Sequence, residues 1–318
     1  MRSYPFSNGD TLPAFGLGTW KSDPGEVTRA VEVAIRLGYR HIDCARIYGN
    51  EAEVGAALRK VMADGVARRE DLFITSKLWN DAHAPKDVGP ALDASLSELG
   101  LEYLDLYLMH WPIAFASGVS FPRRAEDLVS LDELPLEATW GAMEALVAEG
   151  RCRHIGVSNF SIPKLRTLLE KSERVKPEVN QVELHPYLQQ RELVSFCKSN
   201  GILVTAYSPL GSKDRPALLK QPDEPILLED PVVTGVAAAR NATPAQVLIA
   251  WGLQRGTAVI PKSVSEKRIE ENLAGAGLVL HPEDVEAIDA LDKHRRYVDG
   301  SVFSLNGGPY TTRNIWDE

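Results

Sequence analysis

Four polar residues that close or follow short apolar segments constrain the fold of this chain more than any other feature. They are Asp43, Tyr48, Lys77 and His110. The apolar segments before them have the composition of buried strands, and stretches of helical periodicity separate these segments. Polar residues of catalytic types at the ends of successive strands, with helices between, are typical of a parallel (β/α)8 barrel, or TIM barrel, whose active site lies at the carboxyl rim. The pattern therefore predicts an α/β barrel enzyme.

Apolar segments along the chain predict eight barrel strands. They are residues 15–18, 40–43, 72–77, 104–110, 153–158, 179–183, 203–207 and 258–260. The first intervening helix is expected to have Asp23 as its N-cap and Pro24 in its first turn, and to end at Gly38. A length of 318 residues is within the usual size of one such barrel, so we expect a single domain over residues 1–318.

Two kinds of insertion are predicted around the barrel. Asn8-Gly9 favours a tight turn between short extended segments, which predicts an N-terminal β-hairpin that caps one end of the barrel. Two long connections rich in proline and charge, residues 112–134 and 211–231, interrupt the alternation of strands and helices. Long loops in a compact domain are usually functional, so we expect these two to be lids or pocket walls at the active site.

Charge and cysteine content exclude several classes of function. The chain has 44 Asp and Glu against 35 Lys and Arg, and its net charge of −9 argues against nucleic acid or an anionic membrane as a partner. Its three cysteines, Cys44, Cys152 and Cys197, lack metal-binding spacing and suit a reducing compartment. Cys44 is expected to be buried. The sequence has neither a signal-peptide pattern nor a long apolar segment. We therefore expect a cytoplasmic protein without a metal site.

Two glycine-containing motifs suggest other enzyme classes, but each lacks a required residue. Gly16-Leu17-Gly18 begins like a dinucleotide-binding fingerprint, yet Lys21 stands where the third glycine belongs. Residues 156–160 lack the second glycine of a hydrolase nucleophile elbow. Neither a Rossmann fold nor a serine hydrolase is therefore expected.

Several short motifs occur in one chain order, at residues 38–45, 48–51, 76–79, 108–112, 155–160 and 260–263. Together they resemble the aldo-keto reductase family, over residues from about 12 to 272 and more weakly in the tail. The tail is more similar to plant or bacterial members than to animal ones, since it lacks their cysteine-containing loop. The resemblance implies a monomeric enzyme that reduces aldehydes and some ketones to alcohols with NADPH, and a small-molecule carbonyl substrate.

The resemblance also implies a role for each of the four polar residues. Tyr48 would donate a proton to the substrate oxygen, and the Lys77 ammonium would lower the pKa of this phenol, which is about 10 in water. Asp43 would hold Lys77, and His110 would orient the substrate carbonyl. Taken singly, each has an ordinary alternative: a helix cap or ion pair for Asp43, a solvated strand end for Lys77, a core histidine for His110 and a turn aromatic for Tyr48.

The cofactor-binding groups of the family correspond to residues at several strand ends and in the last third of the chain. Ser158, Asn159 and Gln181 would bind the nicotinamide carboxamide, and Tyr207 would stack on its ring. The other positions lie along the first loop (Thr19, Trp20, Lys21), face the pyrophosphate (Ser208, Leu210, Ser212), hold the 2′-phosphate (Lys262, Ser263, Val264, Arg268) or meet the adenine (Glu271, Asn272). For Lys262 and Arg268 the alternative is an ordinary solvated charge.

Aromatic residues near the strand ends are expected to wall an apolar substrate pocket. They are Trp20, Trp79, Trp111 and Phe121, with His110 as the polar group. A role in the core is the alternative for the tryptophans. Ala217 stands where some animal relatives have a tryptophan, so the resemblance does not specify a substrate.

Two other functions use the same residues. Some members of this fold are cofactor-binding regulatory or redox-sensing subunits, but here all four catalytic positions are filled. An enzyme that oxidises alcohols with NADP+ in vivo would differ only in the direction of the reaction, which the sequence leaves open. Carbonyl reduction is the function that the sequence predicts.

Overall fold

An N-terminal hairpin precedes a barrel of eight parallel strands in the computed structural model, which describes residues 2–221 and 224–318. The strands, numbered along the chain, are β1 (Ser3–Pro5), β2 (Thr11–Pro13), β3 (Gly16–Gly18), β4 (His41–Asp43), β5 (Phe73–Leu78), β6 (Leu104–Met109), β7 (Ala114–Phe115), β8 (Leu128–Val129), β9 (Cys152–Ser158), β10 (Val179–Glu183), β11 (Leu203–Tyr207) and β12 (Ala258–Val259).

The barrel strands pair in parallel in the order β3, β4, β5, β6, β9, β10, β11 and β12. Bridges from Phe15 to Val259 and from Gly18 to Lys262 join the two edge strands, so the sheet closes on itself. The predicted eight-stranded barrel is confirmed, with each strand end within one residue of its predicted position.

Helices follow most barrel strands and surround the sheet. They are α1 (Glu26–Leu37), α2 (Glu51–Ala63), α3 (Pro85–Leu99), α4 (Leu136–Ala148), α5 (Ile162–Lys171), α6 (Arg191–Ser199), α7 (Pro231–Ala239), α8 (Pro244–Gln254), α9 (Glu266–Gly275), α10 (Pro282–Asp289) and α11 (Thr312–Trp316). Among the described residues, no helix combines the length and the hydropathy needed to cross a bilayer.

The first helix begins later than the sequence predicts. Its N-cap is Gly25, whose φ of 86° lies in the left-handed region, so the prediction of Asp23 as the cap and Pro24 in the first turn is wrong. The Glu53 carboxylate from α2 accepts a hydrogen bond from the Gly25 N–H at 2.8 Å and places negative charge at this N-terminus. The predicted end at Gly38 is confirmed, because this glycine adopts φ 109° and closes the last turn.

The N-terminal hairpin covers the amino end of the barrel. β1 and β2 are antiparallel, and Gly9 in the turn between them has φ 94°. Phe6 and Leu12 pack in one cluster with Leu106 and Val179, which are side chains of the barrel strands. Since the hairpin closes this end, the predicted cap is confirmed and the carboxyl end of the barrel stays open.

Both long loops contribute to that open end. Residues 112–134 contain the short antiparallel pair β7 and β8, and Phe121 from this loop lines the cavity described below. Residues 211–231 contribute Asp214 and neighbouring residues to the same cavity. Pro222 and Asp223 of the second loop lie outside the described residues.

Candidate active site

A cavity of about 880 Å³ opens at the carboxyl ends of the barrel strands. Its lining includes all residues that the sequence assigns to the cofactor, namely Thr19, Trp20, Lys21, Ser158, Asn159, Gln181, Tyr207, Ser208, Leu210, Ser212, Lys262, Ser263, Val264, Arg268, Glu271 and Asn272. Asp43, Tyr48 and His110 also line it. Lys77 is fully buried beneath them. One cavity therefore reaches three of the four predicted catalytic residues and all of the predicted cofactor residues.

Lys77 connects the predicted catalytic residues. Its Nζ lies 2.5 Å from Oδ1 of Asp43, 2.8 Å from the carbonyl oxygen of Cys44 and 3.4 Å from Oη of Tyr48. Three acceptors match the three N–H groups of an ammonium. Burial acts to lower the pKa of Lys77, but the charge and hydrogen bond of Asp43, together with the neighbouring Tyr48 and Cys44, outweigh burial and the pKa is raised. Lys77 therefore stays charged at neutral pH.

Strand register brings this cluster together. Asp43 is opposite Thr75 of β5, and Lys77 is two residues farther along the same strand, so its side chain points to the same face. Tyr48 ends a single 3-10 turn, Arg46–Tyr48, directly after β4. The His110 N–H continues the pairing of β6 with β5 by donating to the carbonyl of Leu78 at 3.1 Å. Asp43, Tyr48 and His110 thus meet at the cavity, with Lys77 directly beneath them.

The pKa of Tyr48 moves opposite to the prediction. Burial raises the pKa of this phenol to about 12; the Lys77 ammonium acts to lower it, and the Asp43 carboxylate acts to raise it. The lysine effect has the predicted sign but is smaller than that of burial. Tyr48 is therefore protonated at neutral pH, which is the form that a proton donor needs.

His110 lies beside Tyr48 as a neutral imidazole. The two ring centroids are 5.9 Å apart, and the ring planes are nearly perpendicular at 77°. Burial lowers the pKa of His110 well below its usual value, and the charge of Lys77 lowers it further. Its Nδ1 has no hydrogen-bond partner among the described residues. A neutral ring offers one donor and one acceptor, so His110 can orient a carbonyl without carrying charge.

Three side chains on neighbouring strands hold the cluster in position. They come from β10, from β11 and from the residue after β9. Gln181 Nε2 donates to Oδ2 of Asp43 at 2.7 Å, while Lys77 binds the other carboxylate oxygen. Asn159 Nδ2 donates to the carbonyl of His110 at 3.0 Å, and Tyr207 Oη donates to Oδ1 of Asn159 at 2.7 Å. The residues predicted for the nicotinamide therefore also support Asp43 and His110, a role that sequence reasoning missed.

Two of the lysines in the cavity lining lie close to the Asp214 carboxylate. The cations of the lining are Lys21, Lys213, Lys262 and Arg268. Lys21 Nζ lies 2.7 Å from Oδ1 of Asp214, and Lys262 Nζ donates to the carbonyl of Lys21 at 2.9 Å. Asp214, which sequence reasoning also missed, thereby ties the 211–231 loop to the loop after β3. The 211–231 loop, predicted to be a lid, is thus in contact with the first loop at the cavity.

The predicted aromatic wall is present, and the C-terminal tail extends it. Trp20, Trp79, Trp111 and Phe121 line the cavity, and Phe121 is 50% exposed at its rim. Sequence reasoning missed further lining residues: Ile47, Val298, Asp299, Gly300, Val302 and Phe303. The tail has no helical or strand periodicity, so the cluster of apolar residues at 297–303 is the one signal that points to it.

A closed parallel barrel with buried acid–base groups at its carboxyl rim defines a barrel enzyme. Residues 14–293 match the model of the Aldo/keto reductase family. An aldo/keto reductase of Synechocystis sp. is 54% identical over 318 residues, which is 100% of this chain and 97% of that protein. The chain therefore belongs to the aldo/keto reductase family, an oxidoreductase family that acts on small carbonyl compounds.

Animal relatives and a solved structure agree with this assignment. Aldo-keto reductase family 1 member A1 of Sus scrofa is 50% identical over 292 residues, 91% of this chain and 89% of that protein. The structure of the aldose reductase from Schistosoma japonicum superposes with a TM-score of 0.87 at 40% identity and covers 96% of each chain. At this identity the similarity extends beyond the fold to the family.

Proposed function

We propose that this protein reduces aldehydes, and some ketones, to alcohols with NADPH as the hydride donor and Tyr48 as the general acid. The observation that supports this most directly is the contact of the buried Lys77 ammonium with both Asp43 and Tyr48 at the floor of the cavity. A charged lysine held in this way stabilises negative charge that develops on the phenol oxygen as its proton leaves.

The catalytic role of each residue follows from its protonation state. Tyr48 is protonated and gives its proton to the carbonyl oxygen. His110 is neutral and donates a hydrogen bond that orients that oxygen. Asp43, held by Gln181 and Lys77, keeps the ammonium beneath the phenol. The bound nicotinamide would supply the hydride that the carbonyl carbon accepts.

The lining fits a dinucleotide phosphate. Gln181 Oε1 accepts no hydrogen bond from the described residues, so it is free for the carboxamide N–H of a nicotinamide. The half-buried Tyr207 ring belongs to the same wall and offers a stacking surface. Lys262 and Arg268 provide positive charge for a 2′-phosphate in a protein whose net charge is −9. These three features support NADPH as the cofactor.

The direct test is turnover of a panel of aldehydes, ketones and alcohols by the purified protein, followed through NADPH and NADP+ absorbance. We expect aldehydes to be reduced efficiently with NADPH. Oxidation of alcohols in preference to reduction at physiological cofactor ratios would favour the reverse reaction. Tight NADPH binding without turnover of any carbonyl would favour a regulatory subunit and contradict the proposal.

The pocket wall leads to a prediction about substrates. Aliphatic and aromatic aldehydes should have higher kcat/KM than sugar aldehydes of the same carbon number, because tryptophan and phenylalanine side chains cannot replace the water around sugar hydroxyls. Each hydroxyl buried without a partner should cost about 1 to 3 kcal/mol. The rates must be corrected for the fraction of free aldehyde. Preference for the sugars after this correction would show that the pocket is more polar than its lining indicates.

A further inference from the structure

We propose that Lys164 is a positioning residue that fastens the C-terminal tail as a wall of the substrate pocket and thereby sets the preference for large over small aldehydes. This inference rests on the proposed function for its substrates. The anchoring of the tail by Lys164 depends only on contacts within the protein, so it can be tested without turnover.

The part of the tail that lines the pocket has little regular secondary structure of its own. Val298, Val302 and Phe303 line the cavity in a segment whose regular structure is limited to one 3-10 turn. At its start, the buried Glu183 carboxylate accepts hydrogen bonds from the N–H groups of Tyr297 and Val298, both at 2.7 Å. This contact anchors only the first residues of the wall, so its far side must be held elsewhere.

Lys164 supplies the second anchor. Its side chain is 8% exposed, and Nζ donates to the carbonyls of Asn314 at 2.7 Å and Ile315 at 3.0 Å. It also contacts Oδ2 of Asp317 at 2.6 Å. The two carbonyls belong to the last turn of α11, where helix carbonyls lack partners in their own helix. One ammonium from α5 therefore caps the helix that ends the tail.

Asp317 closes α11 as its C-cap and contacts α5 through its side chain. Asp317 has φ 57°, in the left-handed region that non-glycine residues rarely adopt. Its carboxylate accepts hydrogen bonds from Lys164 Nζ and from the Ser161 hydroxyl, which is also the N-cap of α5. Negative charge at a helix N-terminus is favourable. The end of the chain is thus tied to α5 through both backbone and side-chain atoms.

Helix α11, which Lys164 holds, is in direct contact with the pocket wall. Trp316 Nε1 donates to the carbonyl of Asp299 at 2.7 Å, and the Trp316 ring lies 5.8 Å from that of Trp111. Gly300 fits between Trp111 and Ile315, since a Cβ atom there would lie 3.2 Å and 3.4 Å from their side chains. Asp299, Gly300 and Trp111 all line the cavity. Loosening α11 should therefore loosen the wall against which a large substrate packs.

The experiment compares Lys164→Met with wild type and with Lys164→Arg, which keeps the charge. Lys171→Met is the matched control, because Lys171 is an exposed lysine at the other end of α5. For each protein, kcat and KM are measured for a bulky aromatic and a short aliphatic aldehyde, together with the NADPH dissociation constant. Hydrogen exchange of residues 297–318 is measured without substrate.

Lys164→Met should raise KM for the aromatic aldehyde by roughly tenfold, the lower end of the factor for losing one hydrogen bond to a charged group. KM for the short aldehyde, kcat and NADPH affinity should change little. Hydrogen exchange should become faster in residues 310–318. Lys164→Arg should keep most of the wild-type KM and exchange protection, and Lys171→Met should resemble wild type. Asp317→Asn, an isosteric change at a partly exposed side chain, should show the same pattern more weakly.

Three results would overturn the proposal: unchanged exchange in the tail, an equal loss for both aldehydes, or an equal effect of Lys171→Met. If Lys164→Met fails to fold, Asp317→Asn decides by the same criteria. If the wild type reduces no aldehyde, the proposed function fails, while the exchange data still decide whether Lys164 holds the tail.

Discussion

Replacing Tyr48 with phenylalanine should lower kcat for carbonyl reduction by roughly 10² to 10⁴-fold, the usual contribution of general acid catalysis. The substitution removes the hydroxyl 3.4 Å from Lys77 Nζ and leaves the ring, which can keep its packing 6.4 Å from Trp20. NADPH binding should persist, because the cofactor groups proposed above lie on other residues. Single-turnover hydride transfer and NADPH titration measure the two effects separately.

Tyr107→Phe is the matched control for the loss of a phenol. Tyr107 is fully buried in the hydrophobic core, and its hydroxyl has no hydrogen-bond partner among the described residues. Removing that hydroxyl should leave catalysis unchanged. Retention of most activity by Tyr48→Phe would exclude Tyr48 as the proton donor, and equal losses in both variants would point to a general effect on folding.

The pH dependence of the wild type tests the same assignment. Because the pKa of Tyr48 is raised to about 12, this phenol stays protonated across the neutral range and loses its proton only as pH rises toward that value. Because the pKa of His110 is lowered, its ring also stays neutral in this range. We therefore expect kcat for reduction to be flat around neutral pH. A fall in kcat between weakly acidic and neutral pH would contradict these protonation states.

Loss of Lys262 or Arg268 should weaken NADPH binding by roughly tenfold to 150-fold, the equivalent of one hydrogen bond to a charged group at about 1.5 to 3 kcal/mol. A 2′-phosphate carries negative charge, and in a protein with net charge −9 it needs cations within hydrogen-bonding distance. NADH lacks this phosphate and should lose much less affinity. Dissociation constants of both cofactors for Lys262→Ala and Arg268→Ala decide the matter.

The two variants differ in the contacts within the protein that each substitution removes. Lys262 Nζ also donates to the Lys21 carbonyl and lies 4.0 Å from Asp214, so its loss also loosens the closed loop and should weaken NADH binding slightly. Arg268 is exposed and forms no ion pair with the described residues, so Arg268→Ala is the cleaner test. Lys86→Ala, an exposed lysine on α3, serves as the control. Equal losses for both cofactors, or a wild type that prefers NADH, would refute the assignment.

Local patterns in the sequence predicted the elements of this fold because each pattern reports on one strand or helix. Alternation of apolar segments and helical periodicity located the barrel strands to within a residue, and Gly38 marked the end of α1. The cap at Asp23 failed for a nonlocal reason. Glu53, on the next helix, already provides the negative charge at the N-terminus of α1, so the helix does not depend on a cap from its own sequence.

The sequence by itself determined which residue types lie at the strand ends, because closing a parallel barrel brings those ends to one rim. Only the tertiary structure decided how they act together. Gln181 holds Asp43 from 138 residues away, Lys164 holds Asp317 from 153 residues away, and Glu183 binds a tail with no periodicity. The pKa of Tyr48 likewise depends on burial by the whole fold, which outweighs its nearest charge. Burial and long-range contacts are properties of the packed chain, and no local pattern encodes them.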